Sequence, residues 1–483
     1  MEKAFTILFL TILLLPHYVM TQTNINTDQL ALLSFKSQIS SDPFHFLNES
    51  WSPAISVCRW VGVICGSRHQ RVKSLKLSNF ALTGRIPRDF GNLTFLVSLD
   101  LGSNHFHGNL PQEMAHLRRL KFLDLSLNSF RGEIPSWFGF LHQLQVVNLR
   151  SNSFTGSIPP SLSNASSLSG DLPNGLCNDL PILKELYLSR NKLDGHMPTS
   201  LSNCSRLQIL SLSGNNFDGP IHNEIGRLSN LQRLYLGYNH FTGEIPKDIT
   251  NLVELEEFDV GFNSFSGSLP MEIFNISRLR TIQLSDNNLS GTLPPNIGST
   301  LPNIEILYLH TLTNLVGTIP HSISNCSKLT DLELSDNKLS GLIPNSLGYL
   351  THLNFLNLWG NNLTSDSFLS FLTSLTNCRR LTTLSLSFNP LNGMLPVSVG
   401  NFSKSLVKFY AAACKINGQI PNEVGNLSSL LDLDLSNNNL IGSIPTSTRL
   451  GSLYHVLPEA EEEGQMKDVV GMLQKIKIQL LTC

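Results

Sequence analysis

A sixteen-residue phrase recurs along this chain, and its period leaves few folds open. The cleanest copy runs from Leu231 to Pro246, LQRLYLGYNHFTGEIP, and reads L-x-x-L-x-L-x-x-N-x-F-x-G-x-I-P. Gly84, Gly108, Gly132 and Gly156 hold one position of it at steps of 24 residues. The position returns at Gly195, Gly219, Gly243, Gly267 and Gly291, then at Gly317, Gly341, Gly393, Gly418 and Gly442. About fifteen full copies and one remnant are present, against a minimum of about three for a stable stack. A unit this short cannot bury its own apolar face, so each copy must stack on the next.

Each position of the phrase has a physical role. Leu231, Leu234 and Leu236 point inward, and their L-x-L alternation is a short strand of period two. Stacked copies pair those strands about 4.8 Å apart into one long parallel sheet. Asn239 follows the strand, where the chain turns inward and leaves backbone groups to satisfy; an amide side chain both donates and accepts. A ladder of such residues is expected at Asn104, Asn128, Asn152, Asn191, Asn215, Asn239, Asn263, Asn287, Asn337, Asn361, Asn389 and Asn438. Phe241 fills the core behind them, Gly243 permits close backbone approach, and Ile245-Pro246 sets an extended segment. An unrelated Leu-rich bundle would not keep Asn and Gly-x-Ile-Pro at fixed offsets. The fold class is therefore an α/β repeat: a leucine-rich-repeat solenoid, a right-handed superhelix with a concave parallel β-sheet.

Residues 1–21 combine an early Lys with an apolar run from Ala4 to Leu15, too short to span a bilayer, and read as a secretory signal peptide. Residues 22–71 form an N-terminal cap, residues 72–445 the array, and residues 446–483 a non-repeat tail expected to be poorly ordered. Within the cap, Asn26–Ser40 reads as an amphipathic helix with apolar Leu30, Leu33 and Ile39, and Asp28 as its capping residue. The first coil of a solenoid exposes an apolar end. In an oxidising compartment, a disulfide between Cys58 and Cys65 would pin the cap over the first strand, Val72 to Leu77.

The cap motif C-x-W-x-G-V-x-C at Cys58–Cys65 and the ending L-x-G-x-I-P resemble the ectodomain of a plant leucine-rich-repeat receptor-like serine/threonine kinase. SFLTSLTNCRRLTTLSLSFNPLNGMLP (370–396) and KFYAAACKINGQIP (408–421) resemble more narrowly the subfamily of flagellin and elongation-factor pattern receptors. The resemblance covers Thr27 to about Pro445. It implies an extracellular module that binds a peptide or protein ligand, with a co-receptor kinase ectodomain as a further partner. Family members continue with a second cysteine pair, a membrane span and a kinase; none is read in this chain. The tail carries acidic Glu459 to Glu463 and an apolar stretch broken by Lys475 and Lys477.

Several copies depart from the pattern. Phe80 stands at the first ladder position, and Cys414 at a later one. Only 14 positions separate Gly156 from Gly170, and SLSNASSLSGDLP (161–173) lacks its strand and Asn. The sheet is expected to lose a rung there. The copy ending at Pro320 carries an extra residue, so its turn should bulge. The copy at Leu358 inserts TSDSFLSFLTSLTNC, a helix on the convex side. Cys204, Cys326 and Cys378 share one column, which points to structure and not reactivity. Cys177 precedes Cys204 by about one coil, bringing a second disulfide within reach. Of ten N-x-S/T sequons, Asn48, Asn92, Asn164, Asn275, Asn288, Asn362, Asn401 and Asn426 are the N-glycosylation candidates; Asn203 and Asn325, which precede cysteines, are weaker ones.

No phosphate-binding loop is present, and Asp89-Phe90-Gly91 lies in the back segment of a repeat, so no enzyme, cofactor or metal site is expected. A net charge of −2 without a basic run argues against nucleic acid. What remains is a surface. Residues between and after the strand leucines should line the concave face: Arg233, Tyr235, Tyr238, Glu257, Asp259, Phe262, Asp286, Tyr308, His310, Asp331, Glu333, Phe355 and Trp359, with His240, Asp336 and Phe388 beside them. Aromatic residues supply large rigid contacts and carboxylates select charge, as a peptide groove requires. Two functions fit: ligand recognition for a plant receptor kinase, in immune pattern recognition or peptide sensing, or a secreted polygalacturonase-inhibitor-like protein that binds a microbial hydrolase.

Overall fold

The fold begins with a helix whose phase is set by the first coil it must cover. It is a computed structural model that describes residues 24–159, 180–443 and 445. The helix spans Ile25–Ser37. Its cap is Asn24, whose side chain accepts from the Asn26 and Thr27 amides while Thr27 Oγ1 accepts from the Asn24 amide. This capping box satisfies backbone donors that a helix start leaves open. Asp28 is thus not the cap. It is fully buried, and its carboxylate accepts from Arg71 Nε at 2.8 Å, Arg71 Nη2 at 2.6 Å and the Val72 amide at 2.8 Å. The helix buries Ala31, Leu32 and Phe35 and leaves Leu30 67 % exposed. The expected face was out of phase because counting apolar residues cannot locate the surface they meet. Ile39, expected in the helix, opens a short strand, Ile39–Ser41, antiparallel to Thr83–Gly84.

Aromatic rings join the cap to the array. Phe35 packs against Phe90 and Phe106 at centroid distances of 5.4 and 5.6 Å, and Trp51 stacks on Trp60 at 5.2 Å. Trp51 and Trp60 are buried, and each indole N–H donates to a backbone carbonyl, of Val61 and Ile55 respectively. Cys58 and Cys65 form the expected disulfide, with Cα atoms 5.4 Å apart. The strand Val63–Cys65 then pairs antiparallel with Val72–Lys76 and covers what would be an open sheet edge.

From there the chain repeats. A 16-stranded sheet runs the length of the described array and is parallel after its first pair. Its register places equivalent positions side by side: Arg233 opposite Glu257, Leu234 opposite Phe258, Tyr235 opposite Asp259. A second sheet of 13 strands, not expected from the sequence, joins the cap strand Ile39–Ser41 to segments that follow the ladder turn in successive coils as far as Asn362–Thr364. It is built from segments such as His240–Gly243 and Ser264–Ser268, which pair Thr242 with Ser264. Once the turn points these extended segments the same way, their amides and carbonyls find partners one coil on. Short 3₁₀ turns, such as Lys247–Asn251, close the convex side.

The Asn ladder forms as expected. Asn239 Nδ2 donates to Leu212 O at 3.1 Å in the previous coil and to Leu236 O at 3.0 Å in its own, and its Oδ1 accepts from the Phe217 amide at 3.1 Å. The residue before each ladder position adopts the left-handed region, among them Tyr238, Phe262, Asp286, Thr311 and Asp336, with φ between 51° and 56°. The copy with the extra residue does bulge: Leu312 takes the ladder position and the pairing slips between Asn287 and Ser290. Cys414 substitutes for Asn by bringing its Sγ within 3.2 Å of Leu386 O. The insertion after Leu358 contains the helix Ser370–Leu375, which buries Phe371, Leu372 and Leu375.

The sheet, expected to be interrupted at the short coil, is continuous across it. Val146–Asn148 pairs directly with Glu185–Tyr187, and Asn191 carries the ladder back to Leu149 O at 3.0 Å. Residues 160–179, with the remnant at 161–173, lie outside the described residues. Cys204 is disulfide-bonded; its expected partner, Cys177, also lies outside them.

Candidate functional site

The parallel register turns each strand position into a column of side chains on the concave face. In Arg233–Leu234–Tyr235 the leucine is fully buried and its two neighbours are half-exposed, as period two requires. Residues one coil apart in a column are therefore in contact range, and the predicted lane resolves into separate groups.

The first group is already internally paired. Arg233 Nε lies 3.2 Å from Glu257 Oε1, and the Tyr235 hydroxyl donates to Glu257 Oε2. Two coils earlier, Tyr187 donates to Glu185 Oε2 at 3.1 Å. Burial, followed by the charge and hydrogen bond of Glu185, pushes Tyr187 up to about 12, and burial with the Glu257 bond raises Tyr235 as well. Both hydroxyls stay protonated donors. The same Tyr–carboxylate pairing recurs at Tyr410 and Asp432, which the sequence reading did not single out.

The second group is aromatic and acidic. Tyr238 and Phe262 stack at 4.1 Å with planes 10° apart, and Phe262 meets the His310 ring edge-on at 5.9 Å. His310 Nδ1 lies 3.4 Å from Asp286 Oδ2 and 3.2 Å from Thr311 Oγ1. Tyr238 is 59 % exposed. Burial raises Asp286, opposed by His310 and assisted by the charge of Asp336. Asp259, in the strand between Tyr235 and Gln283, accepts from the Gly261 amide at 3.0 Å, yet burial pushes it up to about 6.

Further along, the lane breaks up. Glu333 is only 9 % exposed and is consumed by the Ser335 amide at 2.9 Å and Asn357 Nδ2 at 2.8 Å. Its carboxylate holds the sheet and is not free for a ligand. Asp331 accepts from Thr330 Oγ1 at 2.5 Å, and Tyr308 is half-buried and raised by burial and by the charges of Asp331 and Glu333. Phe355 pairs in register with Asp331. Trp359 stands apart from the tyrosines and meets Phe388 edge-on at 5.5 Å.

Beside the second group an open cleft of about 680 Å³ lies along the border between the two sheets, lined by Phe262, Asp286 and Asp336 among others. These residues were expected on the concave face but not around a cleft. Their only common signal was their place just before the ladder position, where every copy turns left-handed. Among the sequons in the described residues, every Asn is exposed: Asn48, Asn92, Asn203, Asn275, Asn288, Asn325, Asn362, Asn401 and Asn426. None sits in a strand of the concave sheet. Asn164 lies outside the described residues. Among the described residues no group of three His, Cys, Asp or Glu is arranged to hold a metal, and no helix is long and apolar enough to cross a membrane.

Comparison with known proteins agrees with this architecture. Residues 25–66 match the leucine-rich-repeat N-terminal domain, residues 164–217 a leucine-rich-repeat model, and seven segments between 119 and 449 the single Leucine Rich Repeat. The LRR receptor-like serine/threonine-protein kinase EFR of Arabidopsis thaliana is 41 % identical over 109 residues, which is 22 % of this chain and 11 % of that protein. The plant peptide hormone receptor RGFR1, solved in complex with RGF2, is 32 % identical with a TM-score of 0.66, over 82 % of this chain and 66 % of that one. The Arabidopsis receptor kinase HAESA, solved with the peptide hormone IDA and the co-receptor SERK1, is 27 % identical with a TM-score of 0.61, over 87 % of this chain and 79 % of that one. The matched stretch is thus a small part of the curated kinase and a larger part of the solved ectodomains. The cap, the Asn ladder and the paired sheets place this chain in the leucine-rich-repeat family, on the plan of plant receptor-kinase ectodomains.

Proposed function

We propose that this chain is the extracellular ligand-recognition module of a plant receptor kinase and binds an extended peptide or a protein loop on its concave face. The observation that carries this reading is the run from Arg233 to Trp359, where half-exposed aromatic rings stand beside carboxylates in adjacent coils. The absence of sequons from the concave strands supports it, since a glycan there would obstruct the groove. The solved relatives named above are complexes with peptide hormones, one of them with a co-receptor. A co-receptor ectodomain is accordingly the second partner we assign, and immune pattern recognition or peptide sensing the role that the resemblance to receptor-kinase ectodomains implies.

Carboxylates outnumber basic groups in the lane, so a ligand bearing Lys or Arg is favoured and its association should weaken with salt. The test is binding of an extracellular peptide library to the glycosylated protein, beside Tyr235→Ala, Tyr238→Ala, Tyr308→Ala and Trp359→Ala. Truncating a true anchor should cost about 2 kcal/mol or more, roughly thirtyfold in affinity. Ligands that bind all four variants normally would place the groove elsewhere. A protein that binds a folded microbial hydrolase and no peptide would replace this reading with the inhibitor one.

A further inference from the structure

The cleft at the border of the two sheets has a chemistry that the paired groups of the concave lane lack. One wall is the ring of Phe262, stacked by Tyr238 at 4.1 Å and met at 65° by the His310 ring at 5.9 Å. Another is made of Asp286, whose Oδ2 lies 3.4 Å from His310 Nδ1, and Asp336, close enough for its charge to raise Asp286. Lys338 also lines the cleft, but its Nζ donates to Asn314 Oδ1 at 3.2 Å. The remaining lining is hydroxyls, amides, Leu312 and His240; it includes the sequon residue Asn288, whose Oδ1 accepts from Thr313 Oγ1 at 3.2 Å. Two carboxylates that repel each other across an open cleft are stabilised by a cation placed between them.

The turn itself does not call for this ring. Phe262 occupies the left-handed position before the ladder Asn, with φ of 56°. Ser103, Ser151, Ala413 and Gly214 serve the same position in other coils. Leu127, Arg190, Tyr238 and Phe388 hold it as well, so the turn accepts small and large residues alike and does not itself require a ring at Phe262. Among cations, a guanidinium fits best. It is planar, it stacks on an aromatic face, and its several donors can serve two separate carboxylates, which a compact ammonium does less well. The cleft volume of about 680 Å³ admits such a side chain with its neighbouring backbone.

We propose that this cleft is the seat of an arginine side chain of the bound peptide, its guanidinium over Phe262 and paired with Asp286 and Asp336. This rests on the concave-face reading above and adds to it a subsite and a required residue. Register then continues the ligand along the sheet past Tyr238, the exposed ring of the stacked pair.

The experiment uses the full glycosylated chain with Asn288→Gln, which keeps a glycan out of the cleft, and labelled, capped pentapeptides with one arginine among alanine and leucine, read by fluorescence anisotropy. The same peptides are made with lysine or with citrulline, which keeps the shape and loses the charge. Arginine should bind at least about tenfold more tightly than citrulline, with lysine between them. Asp286→Asn combined with Asp336→Asn should reduce that ratio to below about threefold, and Phe262→Leu should erase the preference for arginine over lysine. Thermal melting of each variant checks that the fold survives. The comparison on the unmutated protein stands even if one does not. Equal binding of arginine and citrulline peptides overturns the subsite, as does a ratio that survives both Asn substitutions. If the extracellular library finds ligands while arginine and citrulline remain equivalent, the concave-face reading stands and only the subsite falls. If neither the library nor any pentapeptide binds, both fall.

Discussion

Replacing Asn239 with Ala tests whether the ladder holds the coils or merely decorates the turn. The side chain bonds three carbonyls, Leu212 O, Leu236 O and Gly237 O, and one amide, that of Phe217 in the preceding coil. Phe217 is fully buried, so its N–H cannot turn to water once the acceptor is gone. An orphaned buried donor costs about 1–3 kcal/mol, and the cross-coil carbonyl adds a similar loss, for a total of about 2–4 kcal/mol. Asn239→Asp should be worse than Ala. It keeps the acceptor for Phe217 but aims a buried charge at three carbonyl oxygens. Hydrogen exchange followed by mass spectrometry is the suitable assay, because a solenoid with one weak interface need not unfold as a unit. Protection should fall at segments containing Leu210, Phe217 and Leu234 and hold at Leu75 in the first coil. If Ala costs less than about 0.5 kcal/mol, or if Asp is the milder substitution, the donor bonds are not what joins the coils.

Three further outcomes follow from the same structure. Asp28→Asn breaks the buried pair with Arg71 and should lower cap stability by about 3–5 kcal/mol, seen as early proteolysis between the helix and the first coil. Gly298→Ala should destabilise strongly, since the new Cβ would meet Ser322 O at 1.8 Å, while Gly66→Ala, whose nearest neighbour is at 3.9 Å, should melt like the parent. Asp259 should give a stability that rises as pH falls. Its folded value of about 6 lies above the ordinary 3.8, so between those values the folded chain holds a proton that the unfolded chain has released. Asp259→Asn should flatten the change in melting temperature between pH 7 and pH 5; an unchanged slope would assign that slope to other groups.

Period and ladder were legible in the residues because they are local and repeated. A Leu at every second position and an Asn at one offset can be read without knowing where any coil lies, and each copy corroborates the next. The same logic exposed the bulge before Pro320 and the convex helix near Ser370. It failed where one surface had to choose its partner. Leu30 and Ala31 are both plausible inward residues of the first helix, and only the position of Phe90 and Phe106 beneath it decides in favour of Ala31. The coil at 161–173 read as a missing rung because sequence distance was taken for spatial distance, whereas Val147 and Leu186 are neighbours.

For the candidate site the division is sharper. The sequence by itself determined which side chains face the concave side, since strand alternation does not depend on neighbours. It could not tell a committed carboxylate from an available one. Glu333 and Asp286 look alike as acidic residues in one lane, but Glu333 is held by Ser335 and Asn357 and Asp286 opens into a cleft. That difference arises from the lateral stacking of coils about two dozen residues apart, which brings together groups whose spacing in the chain carries no sign of the contact. The left-handed turn before each ladder Asn lifts the following segment into a second sheet, and the border between the sheets exists only once the coils are stacked.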